Sequence, residues 1–304
     1  MTGAPVPEGA DAIIMHERTS FTENTVTLTA PVTSANIIPP GEDVKAGTLL
    51  VPKGKILTAS DLALIAGQGI AEIGVYKKLS IGLISTGSEL LNTGSPLEYG
   101  KIYNTNPYLL GGYIQKHHMT ANYLNTVSDD LDSLCRAVLE ALKTNDVVIT
   151  TGGVSAGDFD YMPEVIRRIG GDLLFHRLKF KPGGAMLGAF KDGKVILGLS
   201  GNPGAAATGL LCVGFPFMRK LSGRSDITFS QTTAYLGVDF KKSSPVTRIL
   251  KGHSDFKNGM LYFTPLSNQH NGSVSSMSDC DLLAIIPAGS KPLAAGDKLE
   301  VYIL

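Results

Sequence analysis

The sequence predicts an α/β protein: a central three-layer α/β domain with a mostly parallel sheet, flanked by small β-rich N-terminal and C-terminal domains. Three observations carry this expectation. Between 78 and 222, continuous apolar runs of strand length alternate with segments that have helical spacing. Residues 1–77 and 224–304 hold short apolar or alternating runs separated by Gly, Pro, Asn and Ser turns. A chain of 304 residues also has room for two or three domains, at about 100–200 residues each.

Taken in order, 1–77 contains strand candidates at 26–30 and 47–51 around the Ile37-Ile38-Pro39-Pro40-Gly41 break, and one helical stretch from Ser60, the expected cap, to Ala66. The central domain opens with the buried strand SIGLIS at 80–85. A helix follows from Asn106 to His117, a weaker strand at 121–126, a helix from Asp129 to Leu142 and a buried strand at 146–150. A helix from Tyr161 to Ile169 leads to strands at 173–180, 184–190 and 195–200, then to a closing helix from Gly204 to Lys220. Strands return at 233–240, 246–253, 260–266, 281–287 and 298–304.

Composition narrows the function. Lys plus Arg and Asp plus Glu both number 27, so no global field favours nucleic acid or an anionic membrane. No stretch reaches the roughly 18 apolar residues of a membrane helix, and MTGAPVPEGADAII has no basic region followed by an apolar stretch, so no signal peptide is expected. Cys135, Cys212 and Cys280 form no C-x-x-C pair, which fits reduced thiols in a cytoplasmic protein. Neither P-loop nor dinucleotide glycine spacing occurs, and His117, His118 and His176 read as surface or packing residues.

The chemistry gathers at strand ends, where ligands of open α/β sheets bind. In STGSEL, Ser85 to Leu90, Gly87 permits a tight turn, Ser88 suits a helix cap or an anion, and Glu89 places a carboxylate at the mouth. In TTGGVSAGDFDY, Thr150 to Tyr161, Gly152, Gly153 and Gly157 allow close backbone approach to an oxyanion, Ser155 adds a hydroxyl, and Asp158 and Asp160 stand beside them. Acidic groups next to an anion cradle make sense if a divalent cation bridges carboxylate and phosphate, so Asp158, Asp160 and Glu89 are candidate Mg²⁺ ligands; an ordinary Asx-rich turn is the competing reading. Lys179 and Lys181 alternate on KFKPGG and could neutralise an anion together, or form a solvated edge. Gly201, Asn202 and Pro203 offer amides at the start of the closing helix, or serve as a purely structural turn.

As a set, TGAPVPEGADAIIMHE (2–17), LISTGSELLNTGSPLEYGKIYNTN (83–106), TTGGVSAGDFDYMPEVI (150–166), LFHRLKFKPG (174–183), GLSGNPGAA (198–206) and PAGSKPLAAGDKLEVYIL (287–304) resemble the molybdopterin molybdenumtransferase family, which is gephyrin E-domain-like. The resemblance implies a cytoplasmic homodimeric enzyme that inserts molybdate into adenylylated molybdopterin and releases AMP with Mg²⁺. It also implies a working partnership with the molybdopterin adenylyltransferase. It places the family's acidic motif position on Glu89, the G-G-V-S-x-G-x-x-D motif on Gly152, Gly153, Val154, Ser155, Gly157 and Asp160, the K-P-G motif on Lys181, Pro182 and Gly183, and the G-N-P motif on Gly201, Asn202 and Pro203. Glu89, Asp160 and Lys181 are thereby the expected catalytic residues.

The chain departs from the family pattern in three ways. Ser88 replaces an Asp, Gly184 replaces a Lys, and the D-x-S-A-M-D-G-Y-A segment that precedes TGAPVPEGAD in the family is expected to be lacking, to be supplied by a separate N-terminal segment or partner subunit. A non-catalytic molybdopterin-nucleotide binding or accessory role, or a related adenylyltransferase, therefore stands as the alternative.

Overall fold

In the central domain, apolar residues that sit at successive positions of a strand must point to opposite faces, and two layers of helices are needed to cover both. The computed structural model, which describes residues 3–154 and 160–304, satisfies this demand in a six-stranded mixed sheet. The chain divides into two compact units, Met1–Pro52 with Leu57–Ala71, and Lys53–Ile56 with Glu72–Leu304.

The first unit holds a short antiparallel ribbon, β1 (Thr19–Phe21) with β2 (Val26–Leu28), and helix α1 (Ala59–Gly67). Thr58 caps α1, with its side chain accepting from Asp61 N–H while Asp61 accepts from Thr58 N–H, a reciprocal capping box. Ser60, the expected cap, is therefore already inside the helix.

The second unit continues with β3 (Ser80–Ser85), β4 (Leu90–Leu91), β5 (Ile102–Tyr103), α2 (Asn106–Lys116), β6 (Thr120–Tyr123), α3 (Leu131–Thr144), β7 (Val147–Thr151), α4 (Met162–Arg168), β8 (Asp172–His176), β9 (Phe180–Lys181), β10 (Leu187–Lys191) and β11 (Lys194–Leu199). Helix α5 (Pro203–Gly209) runs through a π-helical turn, Leu210–Gly214, into α6 (Phe215–Leu221). The sheet order is β6-β3-β7-β11-β10-β8; the first four are parallel, and β10 runs against both β11 and β8. Alternation sorts the two faces. Ile81, Leu83, Val147, Ile149, Val195 and Leu197 pack with α2, α5 and α6, whereas Ile84, Val148 and Ile196 pack with α3 and α4.

The expected strand at 173–180 is in fact two elements. β8 stops at His176, Arg177 turns the chain with φ +66°, and Phe180–Lys181 joins a different sheet. That sheet is built from β12 (Gln231–Leu236), β13 (Thr247–Lys257), β14 (Met260–Pro265), β15 (Leu282–Ile286) and β16 (Lys298–Ile303), with the short helix α7 (Ser275–Ser278) between β14 and β15. Its order is β14-β12-β16-β15-β13, and β13 pairs back to β14, so the five strands close into a barrel around Leu236, Leu250, Phe263, Ala284 and Val301. β9 extends it by a parallel pairing of Phe180 and Lys181 with Thr247 and Arg248. Among the described residues, no helix is long and apolar enough to cross a membrane.

Candidate functional site

Three neighbouring parallel strands end side by side. Ser85 pairs with Thr151, and Thr151 pairs with Leu199, so the chain leaves β3, β7 and β11 at one level. Because β10 is antiparallel, β8 points the same way as β11, and His176 ends at that level too, opposite Leu187, which in turn faces Gly198. The exits are stitched to each other: Thr86 N–H donates to Thr151 C=O at 2.9 Å, and Gly152 N–H to Leu199 C=O at 3.0 Å.

Glycine is required at this edge on geometric grounds. Gly152 has φ +104° and Gly153 φ +64°, and a Cβ on Gly152 would overlap Thr86 Oγ1. Gly201 lies beside it, where a Cβ would stand in ordinary contact with Gly152 Cα at 3.7 Å. Beneath, Ser85, Thr151, Asn104 and Thr126 form a chain of side-chain hydrogen bonds, and Asn106 Nδ2 donates to Gly201 C=O at 2.8 Å. Asn106 Oδ1 and Thr150 Oγ1 are buried with no hydrogen-bond partner among the described residues. Asn104 and Asn106 escaped the reading from sequence, where Asn106 registered only as the Asn-Pro start of a helix.

The stretch after β3 does not open a helix. Ser88 and Glu89 lie exposed in a turn that leads into β4, and this removes the helix-capping role considered for Ser88. Ser88 N–H donates to Asp129 Oδ2 at 3.3 Å, Lys101 Nζ donates to Ser88 C=O at 2.6 Å, and the Glu89 carboxylate folds back over Gly87, where a Cβ would meet Glu89 Oε2 at 2.7 Å.

Asp160 is mostly buried, and one of its oxygens, Oδ2, lies 3.7 Å from both His176 Nε2 and Arg177 NH2. Its other oxygen, and His176 Nε2, are buried with no hydrogen-bond partner among the described residues. Burial raises the Asp160 pKa above the ordinary aspartate value, and the neighbouring His176 and Arg177 oppose that rise. His176, read from sequence as a surface or packing residue, thus belongs to the acidic centre of the edge, and Arg177 comes with it. The fact that would have signalled this, a strand ending at His176, is not visible in a period-two pattern that continues to Phe180.

Lys179 and Lys181 are exposed, and Lys181 sits on the barrel's added strand, not at an end of the central sheet as expected. The following Pro182-Gly183 runs against α5, where a Cβ on Gly183 would meet Gly209 N at 2.7 Å and Ala205 O at 3.0 Å. Asn202 caps the first turn of α5 through its carbonyl, which accepts from Ala206 N–H at 2.9 Å, and Pro203 occupies the first helical position. Ser155, Gly157 and Asp158 lie outside the described residues. Among the described residues, no three His, Cys, Asp or Glu side chains group as a metal cage, and Glu89 and Asp160 are not joined in one.

Comparison with known proteins places this architecture. Residues 82–220 match the family described as "Probable molybdopterin binding domain", residues 1–69 the "MoeA N-terminal region (domain I and II)" and residues 233–304 the "MoeA C-terminal region (domain IV)". Over 304 residues the chain is 36% identical to the molybdopterin molybdenumtransferase of Staphylococcus aureus (strain Mu50 / ATCC 700699), with 100% of this chain and 73% of that protein covered. The chain belongs to the molybdopterin molybdenumtransferase family. The molybdopterin molybdenumtransferase of Bacillus subtilis (strain 168) is likewise 36% identical over 309 residues, covering 100% of this chain and 72% of its own. A crystal structure of the molybdopterin biosynthesis moea protein from Pyrococcus horikosii superposes with a TM-score of 0.83 at 26% identity, over 98% of this chain and 73% of that one. As a molybdopterin molybdenumtransferase family member, the chain is a transferase of molybdenum cofactor biosynthesis. The expectation that it lacks the family's N-terminal region is corrected, since residues 1–69 match that region.

Proposed function

We propose that this chain inserts molybdate into adenylylated molybdopterin with release of AMP, at the carboxyl edge of the central sheet. The observation that supports this best is the alignment of the ends of β3, β7 and β11, each followed within two residues by a glycine, Gly87, Gly152 or Gly201, of which Gly152 sits against Thr86 so closely that a side chain would be blocked. Such an edge receives phosphate and oxyanion groups on backbone N–H donors without rearranging, which is what transition-state charge requires. Gly152, Gly153, Gly201, Asn202 and Pro203 form the floor in this reading, with Gly87, Ser88, Ser155 and Gly157 as further proposed contacts. Lys179 and Lys181 supply cations nearby. Asp160 orients Arg177 and His176, and Glu89 remains the proposed second acid.

A magnesium ion fits the proposal. It takes few carboxylates when phosphates supply the remaining oxygens, and Asp160 Oδ1 is a buried oxygen with no hydrogen-bond partner among the described residues. Asp160, with Asp158 and Glu89 as the other proposed ligands, would hold it, and bound there it would neutralise phosphate charge. The homodimer and the hand-over of adenylylated pterin by the molybdopterin adenylyltransferase are part of the same proposal.

The test is AMP release from adenylylated molybdopterin as molybdate is titrated, with Gly152→Ala as the comparison. Molybdate-dependent AMP release that the variant loses is the expected result. Release that ignores molybdate, or a Gly152→Ala protein as active as the parent, would overturn the proposed site.

A further inference from the structure

We infer that Lys251 is a positioning residue that clamps the barrel's 266–276 loop onto the first turn of α5, so that the C-terminal barrel builds the wall of the site beside Gly201 and Asn202. The inference rests on the function proposed above. Lys251 lies on β13 and is fully buried. Alternation sends Leu250 into the barrel core and Ile249 into the apolar cluster shared with α5 and α6. Lys251 has the same parity as Ile249, and its cross-strand neighbour Leu283 belongs to that same cluster. An apolar residue would suit these surroundings at lower cost, because a buried ammonium loses its hydration and here gains no carboxylate among the described residues in return. Burial accordingly lowers its pKa below the ordinary lysine value.

What the lysine does gain is a set of bonds to one loop. Its Nζ donates to His270 C=O at 3.2 Å and to Ser276 Oγ at 2.5 Å, and Ser276 Oγ donates onward to Ser273 C=O at 2.9 Å. Its own N–H donates to Gln269 Oε1 at 3.1 Å, and its C=O accepts from Gln269 Nε2 at 2.6 Å. Backbone and side chain of one residue thus hold both halves of the loop.

The held loop in turn touches the site. Asn271 C=O accepts from Gly204 N–H at 2.8 Å and Ala205 N–H at 3.3 Å, which occupies the free amides of the first turn of α5. A Cβ on Gly204 would meet Asn271 O at 2.9 Å and Lys251 Nζ at 3.2 Å, and a Cβ on Gly272 would stand 3.5 Å from Asn202 Oδ1. With the Gly204 and Ala205 amides taken by Asn271 C=O and the Gly152 amide by Leu199 C=O, an incoming anion is directed to the Gly153 and Gly201 side of the mouth.

The experiment compares the parent with Lys251→Met, which keeps the length and removes the donors, and with Ser276→Ala, which removes one acceptor and leaves the lysine. Amide exchange read by mass spectrometry should rise about 10-fold across 266–276 and at Gly204 and Ala205 in Lys251→Met, less in Ser276→Ala, with β7 unchanged in both. In the AMP-release assay, KM for adenylylated molybdopterin should rise about 10-fold while kcat stays within about 3-fold. Unchanged exchange in both variants would overturn the clamp, and raised exchange with unchanged KM would overturn the loop's place in the site wall. If the parent chain releases no AMP with molybdate, the proposed activity fails by itself, and the exchange measurement still decides whether Lys251 clamps the loop.

Discussion

Asp160 is a buried carboxylate whose charged form is disfavoured by its surroundings and retained by two neighbours. A carboxyl whose folded pKa is raised favours the folded state only at low pH, and that contribution is lost as pH rises through the folded value. Asp160→Asn removes the charge that burial opposes. At neutral pH the variant should therefore unfold at the same temperature as the parent or slightly higher, while its affinity for adenylylated molybdopterin falls about 10-fold or more. Calorimetry of unfolding and of binding on the same sample checks both halves; a less stable variant with parental affinity would make Asp160 a structural residue. Gly152→Ala should behave in the opposite way, losing about 1–3 kcal/mol of stability through its φ of +104° and the overlap with Thr86, as urea unfolding would register. At this scale the positions of Gly152 and Asp160 beside the end of an apolar strand were legible in the sequence, because Gly-Gly follows that strand directly and Asp160 stands in the same run, while an ordinary turn remained the competing reading. His176, Arg177, Asn104, Asn106 and Lys251 could not, because each matters through a partner that is distant in the chain.

Elements tell the same story through their ends. The buried strands at β3, β7 and β11 and the helices at α2, α3 and α4 were legible to within a few residues, because their periodicity is strong and their lengths are ordinary. The break at Arg177 was not, since the alternation of apolar residues runs on across a change of sheet. The end of α2 carries a pH dependence of its own. His117 caps it, packs against Phe215 and Phe229, and shares a hydrogen bond with Arg219, which is buried and stacked 4.2 Å over Phe229. Burial, and next the Arg219 charge, bring its pKa down from 6.5 to about 4. The unfolded chain then binds a proton that the folded chain refuses, so stability is lost as pH falls from about 6.5 towards 4. The melting temperature of the parent should drop over that window, and His117→Gln should show a shallower drop; parallel curves would remove His117 from the account.

For the molecule as a whole, closure of the barrel was beyond the sequence reading, since it depends on β13 pairing with both β14 and β15, a matter of register rather than composition. The cores lie almost wholly within the second unit; among the described residues, Ile65 is the only buried hydrophobic residue that precedes Leu79. The first unit leaves Phe21, Val26, Ile38 and Leu49 more than half exposed. Surface of this kind favours association, and light scattering at micromolar concentration should give twice the 32.1 kDa chain mass; a mass equal to one chain would count against the homodimer. One further consequence follows from the π turn at Leu210–Gly214. Such a turn holds roughly one residue more than a regular helical turn, so it acts as a phase shift between the two ends of a helix about 28 Å long. Upstream of it, Ala206 and Ala207 pack into the core beneath the central sheet; downstream, Phe215 and Arg219 meet His117. Deleting Val213 would let an unbroken α-helix form with Phe215 and Arg219 still facing His117, whereas a regular α-helix with every residue kept would turn each side chain beyond the break by about 100° and take Arg219 from its ring and its histidine. In that sense the helix carries one inserted letter whose only content is angular.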